Sequence, residues 1–338
     1  MESERSRVMN PRRHRRTDVR VMTGDGVRLA VRDYGTRPAR HTVVLLHGLC
    51  VSDEVWSLQL DHLLGCSRDD IRVITYDHRG HGRSDRAPAE SYRIERLAGD
   101  LADILEALDV VGPVTLVGHS MGGMAVLAYL ARSGPDRPVD PHGLVLVATA
   151  AGKLAERGPG RLLATPGVGA LLGFVDRIPK QALEVLAGPV CSTLAGIFPA
   201  QRVMLAKVAE AAAGAPVRTA AGFFPALRAF DQRASLPAIR ANTVVVSGGA
   251  DPLMAETHSR ELADSIPGAV HVHLPEAGHM LLSEAPDTVN DAIRRAMLPH
   301  RTTRLTRPRR AAGSGPRNCI GSESVTTRAG FTPVRTGA

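Results

Sequence analysis

The chain is expected to fold as an α/β protein: a mostly parallel sheet covered by helices on both faces and interrupted once by a helical insertion. Three observations carry this. Short apolar, β-branched runs recur along the 338 residues, as in strands buried on both faces. Segments with apolar residues at three- and four-residue steps alternate with them. About ninety residues between Ala148 and Thr243 hold no β-rich run, and a long excursion of that kind is usually a lid or binding element.

The elements follow in order. Val19–Met22 and Val27–Asp33 alternate across Gly24, Asp25 and Gly26 and read as a β-hairpin. Thr42–Leu46 and Ile71–Tyr76 are buried strands. Ile94, Leu97, Leu101, Ile104, Leu105 and Leu108 form one helical stripe. Val114–Val117 is a strand, and Met124–Ala131 is a helix-forming run. Leu144–Val147 is the last strand before the insertion, where Gln181–Leu186 and Val203–Ala213 look helical. Thr243–Ser247 is a strand, Glu256–Ile266 a helix, Val270–Leu274 a strand and Pro286–Met297 a final helix. The sheet domain is thus expected over 19–149 and 237–298, with a helical cap over 150–236.

The formal net charge of +8 is concentrated in two tails. Residues 1–18 and 299–338 are expected to be solvated, disordered basic tails. Residues 1–20 hold seven Arg and three acids, and residues 299–338 hold eight Arg and one Glu, which leaves residues 21–298 at −3. Nucleic acid is not an expected partner, because the tails offer Phe331 alone for stacking. Only Lys153, Lys180 and Lys207 among the 42 basic residues are lysines, a bias that a GC-rich bacterial genome produces.

Cys50, Cys66, Cys191 and Cys319 lack metal-ligand spacing, so free thiols in a reducing, cytoplasmic setting are expected. Arg12-Arg13 and Arg15-Arg16 are not followed by the apolar stretch of a leader. No run of about eighteen apolar residues predicts a membrane span. Leu162–Val175 is the one candidate for peripheral lipid contact, although Pro166 and three glycines oppose a single long helix there. No cofactor or metal is expected.

The densest signal is Gly118-His119-Ser120-Met121-Gly122 between a strand and a helix. Such a turn forces its central Ser into strained backbone and lifts the hydroxyl clear of the sheet. A nucleophile there needs a base, an orienting acid and an oxyanion hole, all at the C-terminal ends of strands. Three segments meet that requirement. Thr42–Leu46 runs into His47-Gly48-Leu49, so the Leu49 N–H, with the Met121 N–H at the helix start, is placed to hold an oxyanion. Thr243–Ser247 runs into Gly248, Gly249, Ala250 and Asp251, the candidate acid. Val270–Leu274 runs into Gly278 and His279, the candidate base. The order Ser120, Asp251, His279 is the order expected of an α/β sheet with a nucleophile elbow. Asp251 also fits an ordinary turn before Pro252.

With these motifs the chain resembles the α/β-hydrolase superfamily over residues 19–298. The resemblance rests on His47-Gly48, the stretch Asp77-His78-Arg79-Gly80-His81-Gly82-Arg83-Ser84, the elbow at Ser120, Asp251 and Gly278-His279. It implies an α/β-hydrolase fold with an eight-stranded sheet and a cap after the sixth strand. It also implies that the Asp77–Ser84 stretch is a structural turn near the site, and that His119 is not catalytic. His47, His271 and His273 read as structural or exposed. Relatives with Asp at the elbow open epoxides or remove halide. Ser120 instead implies acyl transfer: cleavage of a small-molecule ester by a serine carboxylesterase or lipase.

Apolar cap residues, among them Leu162, Phe174, Phe198, Phe223, Phe224 and Phe230, point to a moderately lipophilic substrate, or serve only to pack the cap. Two other readings stay open. One keeps the triad for carbon–carbon bond hydrolysis or cofactor-free perhydrolysis. The other is a non-catalytic binding protein.

Overall fold

Eight strands form one sheet in the order β1-β2-β4-β3-β5-β6-β7-β8. The computed structural model describes residues 16–35, 38–66, 71–154, 156 and 216–298. The cap segments Gln181–Leu186, Val203–Ala213 and Leu162–Val175 lie outside these, as do residues 1–15 and 299–338. β1 (Arg16–Met22) and β2 (Arg28–Tyr34) pair antiparallel, and β2 pairs antiparallel with β4 (Ile71–Tyr76). β3 (His41–Leu46), β5 (Val114–His119), β6 (Gly143–Val147), β7 (Asn242–Gly248) and β8 (Val270–Leu274) join β4 in parallel register.

β1 begins three residues before the expected hairpin. Backbone pairing carries it back to Arg16↔Tyr34, although the added side chains Arg16, Thr17 and Asp18 are exposed and polar. An alternation of apolar and polar residues gives no sign of such pairing at a sheet edge.

Strand residues alternate between two cores, as a period of two requires. Val44, Leu46, Ile74, Leu116 and Leu146 face one side with α2 (Ile94–Ala107) and α3 (Met121–Leu130). Val43, Leu45, Val73, Val117 and Val145 face the other. There they meet Trp56 and Leu63, the latter on α1 (Ser57–Cys66), and residues of α7 (Pro286–Met297). Leu97, Leu101, Ile104 and Leu105 of α2 are fully buried, and each is worth about 1.5–3 kcal/mol relative to exposure. α3 is buried along almost its whole length, so the helix after Ser120 is a central pillar.

α1 and the single turn α6 (Leu281–Glu284) were not anticipated from the sequence. The α1 stripe is short, with Leu63 buried and Leu60 and Leu64 partly buried. Pro216–Ala229 forms α4, with Pro225 inside it, and Glu256–Ser265 forms α5. Phe223, Phe224 and Phe230 are buried, so these three cap residues serve packing. Among the described residues no helix is long and apolar enough to cross a membrane.

A buried ion pair ties the antiparallel edge to the parallel sheet. Arg72 on β4 donates from Nε and Nη2 to the two Asp33 oxygens, each at 2.9 Å, and from Nη2 to Leu108 O at 3.0 Å. Removing one partner strands the other charge in the core. Asp33→Ala is expected to lose about 3–5 kcal/mol, read as a lowered urea midpoint. An unchanged midpoint would show that the pair does not hold this edge.

Candidate active site

β5 ends at His119, and α3 starts at Met121. Ser120 between them adopts φ 52° and ψ −119°, a conformation that a non-glycine residue holds only when its surroundings impose it. Here three backbone contacts do so. Ser120 N–H donates to Val147 O at 2.9 Å, and Ser120 O accepts from Gly123 N–H at 2.9 Å. Thr149 Oγ1 donates to the same oxygen at 2.7 Å.

Two glycines allow the β3 end to close on this turn. A Cβ on Gly122 would collide with Leu46 O and stand 2.6 Å from His47 O. A Cβ on Gly48 would stand 3.2 Å from the Ser120 Cβ and 3.0 Å from His119 Nδ1. The Gly48–Leu49 peptide therefore lies beside the elbow.

That peptide is oriented by His47. Its Nδ1–H donates to Gly48 O at 2.7 Å, because its Nε2 is occupied by the His78 N–H at 2.9 Å. In a trans peptide the N–H points opposite to the C=O. Holding Gly48 O toward His47 thus turns the Leu49 N–H away from the imidazole. A second ring, His78, donates from Nε2 to His47 O at 3.0 Å. Met121 at the head of α3 is buried, and the helix dipole there favours negative charge.

His279 and Asp251 come together from two loops. His279 Nδ1 lies 2.7 Å from Asp251 Oδ2, with both side chains buried. The other carboxylate oxygen, Oδ1, accepts from Leu253 N–H at 2.7 Å and Met254 N–H at 2.9 Å. A carboxylate held on three sides fixes the imidazole tautomer with its proton on Nδ1, leaving Nε2 as a base.

Three residues that hold these groups were not identified from the sequence as doing so. His119 donates from Nε2 to His279 O at 3.0 Å, so the residue before Ser120 tethers the His279 main chain. Glu284 accepts from Gly278 N–H, and from Met280 N–H at 3.2 Å, closing the His279 loop. Thr149 holds the elbow carbonyl, as above. No spacing rule marks His119 and Thr149, because each acts across loops brought together only by the fold; Glu284 acts locally, four and six residues beyond its partners.

The Asp77–Ser84 stretch is a hydrogen-bonded scaffold. Asp77 accepts from Asp53 N–H at 2.8 Å and Arg83 N–H at 2.9 Å. Arg79 forks onto Asp100 and Asp25, donating from Nε to Asp100 Oδ2 at 2.8 Å and from Nη1 to Asp25 Oδ2 at 2.8 Å. His271 and His273 both bond Ser247 Oγ, at 2.8 and 3.0 Å, away from the elbow. Burial pushes the Cys50 thiol up to about 11, which leaves it protonated at neutral pH. Among the described residues no group of three or more His, Cys, Asp or Glu could hold a metal ion.

Burial keeps the imidazoles around the elbow neutral. It pushes His81 and His119 down to about 3, and lowers His47 and His78. In the unfolded chain each takes up a proton near pH 6.5. Folded values below the unfolded one mean that their contribution to stability is complete above about pH 6.5. It is then lost as the pH falls further, for His81 and His119 down to about 3. Thermal unfolding should show a plateau above pH 7 and a steepening decline below 6.5, up to ~1.4 kcal/mol per pH unit for each histidine. A flat profile from pH 6.5 to 4.5 would contradict neutral burial.

Known proteins resemble this chain in sequence and fold. Residues 41–286 match the family described as the alpha/beta hydrolase fold. The chain is 40% identical over 117 residues to a non-heme chloroperoxidase of Streptomyces lividans, a match spanning 35% of this chain and 40% of that enzyme. It is 28% identical over 270 residues to the "Putative carbamate hydrolase RutD" of Caulobacter vibrioides, covering 77% of this chain and 91% of that protein. A solved thermophilic esterase from Thermogutta terrifontis superposes with a TM-score of 0.62 at 27% identity, over 82% of this chain and 97% of the esterase.

Proposed function

Since the chain belongs to the alpha/beta hydrolase fold family, we propose that it is a serine hydrolase that cleaves carboxylic esters through an acyl-enzyme. The observation that carries this reading is the buried 2.7 Å pair between His279 Nδ1 and Asp251 Oδ2, which is supplied by the loops after β7 and β8. Ser120 follows β5, which β6 separates from β7 in the sheet, and holds its strained conformation there, while the adjacent His119 bonds the His279 main chain.

In the proposed reaction His279 Nε2 takes the Ser120 hydroxyl proton as Oγ attacks the ester carbonyl. The Leu49 and Met121 amides stabilise the developing oxyanion, each by about 2.7–4 kcal/mol in comparable sites. His279 then gives its proton to the departing alkoxide, releasing the alcohol. Water, deprotonated by His279, attacks the acyl carbon and frees the acid and Ser120. Asp251 stabilises the imidazolium present in both halves. Nothing in this sequence requires a cofactor. The substrate proposed is a small, moderately lipophilic ester.

One observation favours a second reading, perhydrolysis at the same site: 38% identity over 119 residues, 35% of this chain and 41% of that protein, to a bifunctional esterase/perhydrolase of Acinetobacter calcoaceticus. There hydrogen peroxide would replace water as the second nucleophile, giving a peracid from the same acyl-enzyme.

Turnover of p-nitrophenyl esters of increasing acyl length tests the proposal. Rates are expected to rise from acetate to a medium chain, and Ser120→Ala should lower kcat by roughly 10⁴-fold or more. Absence of turnover at every length by folded protein would overturn ester hydrolysis. Asp251→Asn should leave the fold intact and cost on the order of 10⁴ in kcat; a loss below tenfold would remove Asp251 from the proposed triad.

A further inference from the structure

We propose that His81 is a positioning residue for the oxyanion loop, holding the backbone N–H of Cys50 and so fixing the chain on the far side of Leu49. The proposal rests on the serine-hydrolase reading, in which Leu49 N–H is an oxyanion donor. His81 itself touches no reacting atom in that scheme.

The Leu49 amide is useful only if its direction is fixed before charge develops. On one side His47 sets the Gly48–Leu49 peptide by holding Gly48 O at 2.7 Å. On the other side stands Cys50, at φ 62°. That is the left-handed region, which a residue with a Cβ occupies only when neighbouring contacts hold it. One contact that holds it is the Cys50 N–H donating to His81 Nε2 at 3.2 Å.

The tautomer of His81 follows from its partners. Its Nδ1 faces Arg79 O at 3.0 Å, and a carbonyl can only accept, so Nδ1 carries the proton. Nε2 is then a bare lone pair, free to accept from Cys50. A protonated ring could not make this bond. Burial, which holds His81 neutral, keeps that acceptor in place.

The ring is also held from behind. His81 N–H donates to His78 O at 2.9 Å, and Ser84 N–H donates to His81 O at 3.0 Å. The His81 ring lies 5.2 Å from His47 and 6.1 Å from Phe223 of α4. Thr219 of the same helix donates to Gly80 O at 3.0 Å. The acceptor for Cys50 is thus anchored in the turn that Asp77 and Arg79 make rigid. His47 and His81 fix Leu49 from its two ends.

His81→Phe and His81→Gln test this. Gln places an acceptor close to the position of Nε2, and Phe removes it while keeping the volume. With a p-nitrophenyl ester, His81→Phe should lower kcat about 10- to 100-fold with KM within threefold, since the lost interaction serves only the transition state. His81→Gln should recover most of that loss. Amide hydrogen exchange at Cys50 should be protected in the wild-type and Gln proteins and accelerated in the Phe variant. An unchanged kcat in His81→Phe, or equal impairment of Phe and Gln variants, would overturn the role. Equal exchange at Cys50 in the wild-type and Phe proteins would overturn it whether or not esters are turned over. Failure of wild-type protein to turn over any ester would instead overturn the hydrolase reading on which the proposal stands.

Discussion

The contact on which the site depends is the approach of the α3 backbone to the end of β3. A single Cβ at Gly122 would collide with Leu46 O and crowd His47 O. That closeness brings two chain segments, separated by more than seventy residues, within van der Waals reach of each other. One carries Ser120 and Met121; the other carries His47, Gly48 and Leu49. The strain at Ser120 follows from the same constraint. The chain has to turn from β5 into a buried helix within one residue, and Val147, Thr149 and Gly123 hold that residue in place.

Around this contact the buried polar groups form a connected set. His47, His78 and His81 spend their ring nitrogens largely on backbone groups of the two loops beside Ser120. His119 spends one on the main chain of His279. The two bonds in which a ring nitrogen accepts, at His47 Nε2 and His81 Nε2, require a neutral imidazole, and full burial favours the neutral form of all four rings. One cluster therefore has two consequences: rigid loops around the elbow at neutral pH, and a fold whose stability drains away in acid. The charged scaffold of Asp77 and Arg79 lies immediately behind and gives the loops a fixed base.

Much of the fold was legible because its parallel strands are short, continuously apolar runs, and burial on both faces writes that pattern directly into composition. Thr42–Leu46 and Leu144–Val147 fall within observed, buried strands for this reason. The elbow was legible because a Gly-flanked Ser between strand and helix has few other uses. The β1 start at Arg16 was hidden, since edge pairing there runs through polar side chains. α1 was hidden by a weak stripe. The roles of His81, His119 and Thr149 were hidden because each bonds a backbone group in another loop. Such a partner has no side-chain identity that a sequence can record.

The central claim is that Ser120 is activated by His279. Incubation with a fluorophosphonate, followed by peptide mass spectrometry, tests it most directly. The account predicts a single adduct on Ser120 in the wild-type protein, and its loss or slowing by orders of magnitude in folded His279→Ala. Labelling of a different residue, or equally fast labelling of Ser120 without His279, would contradict it.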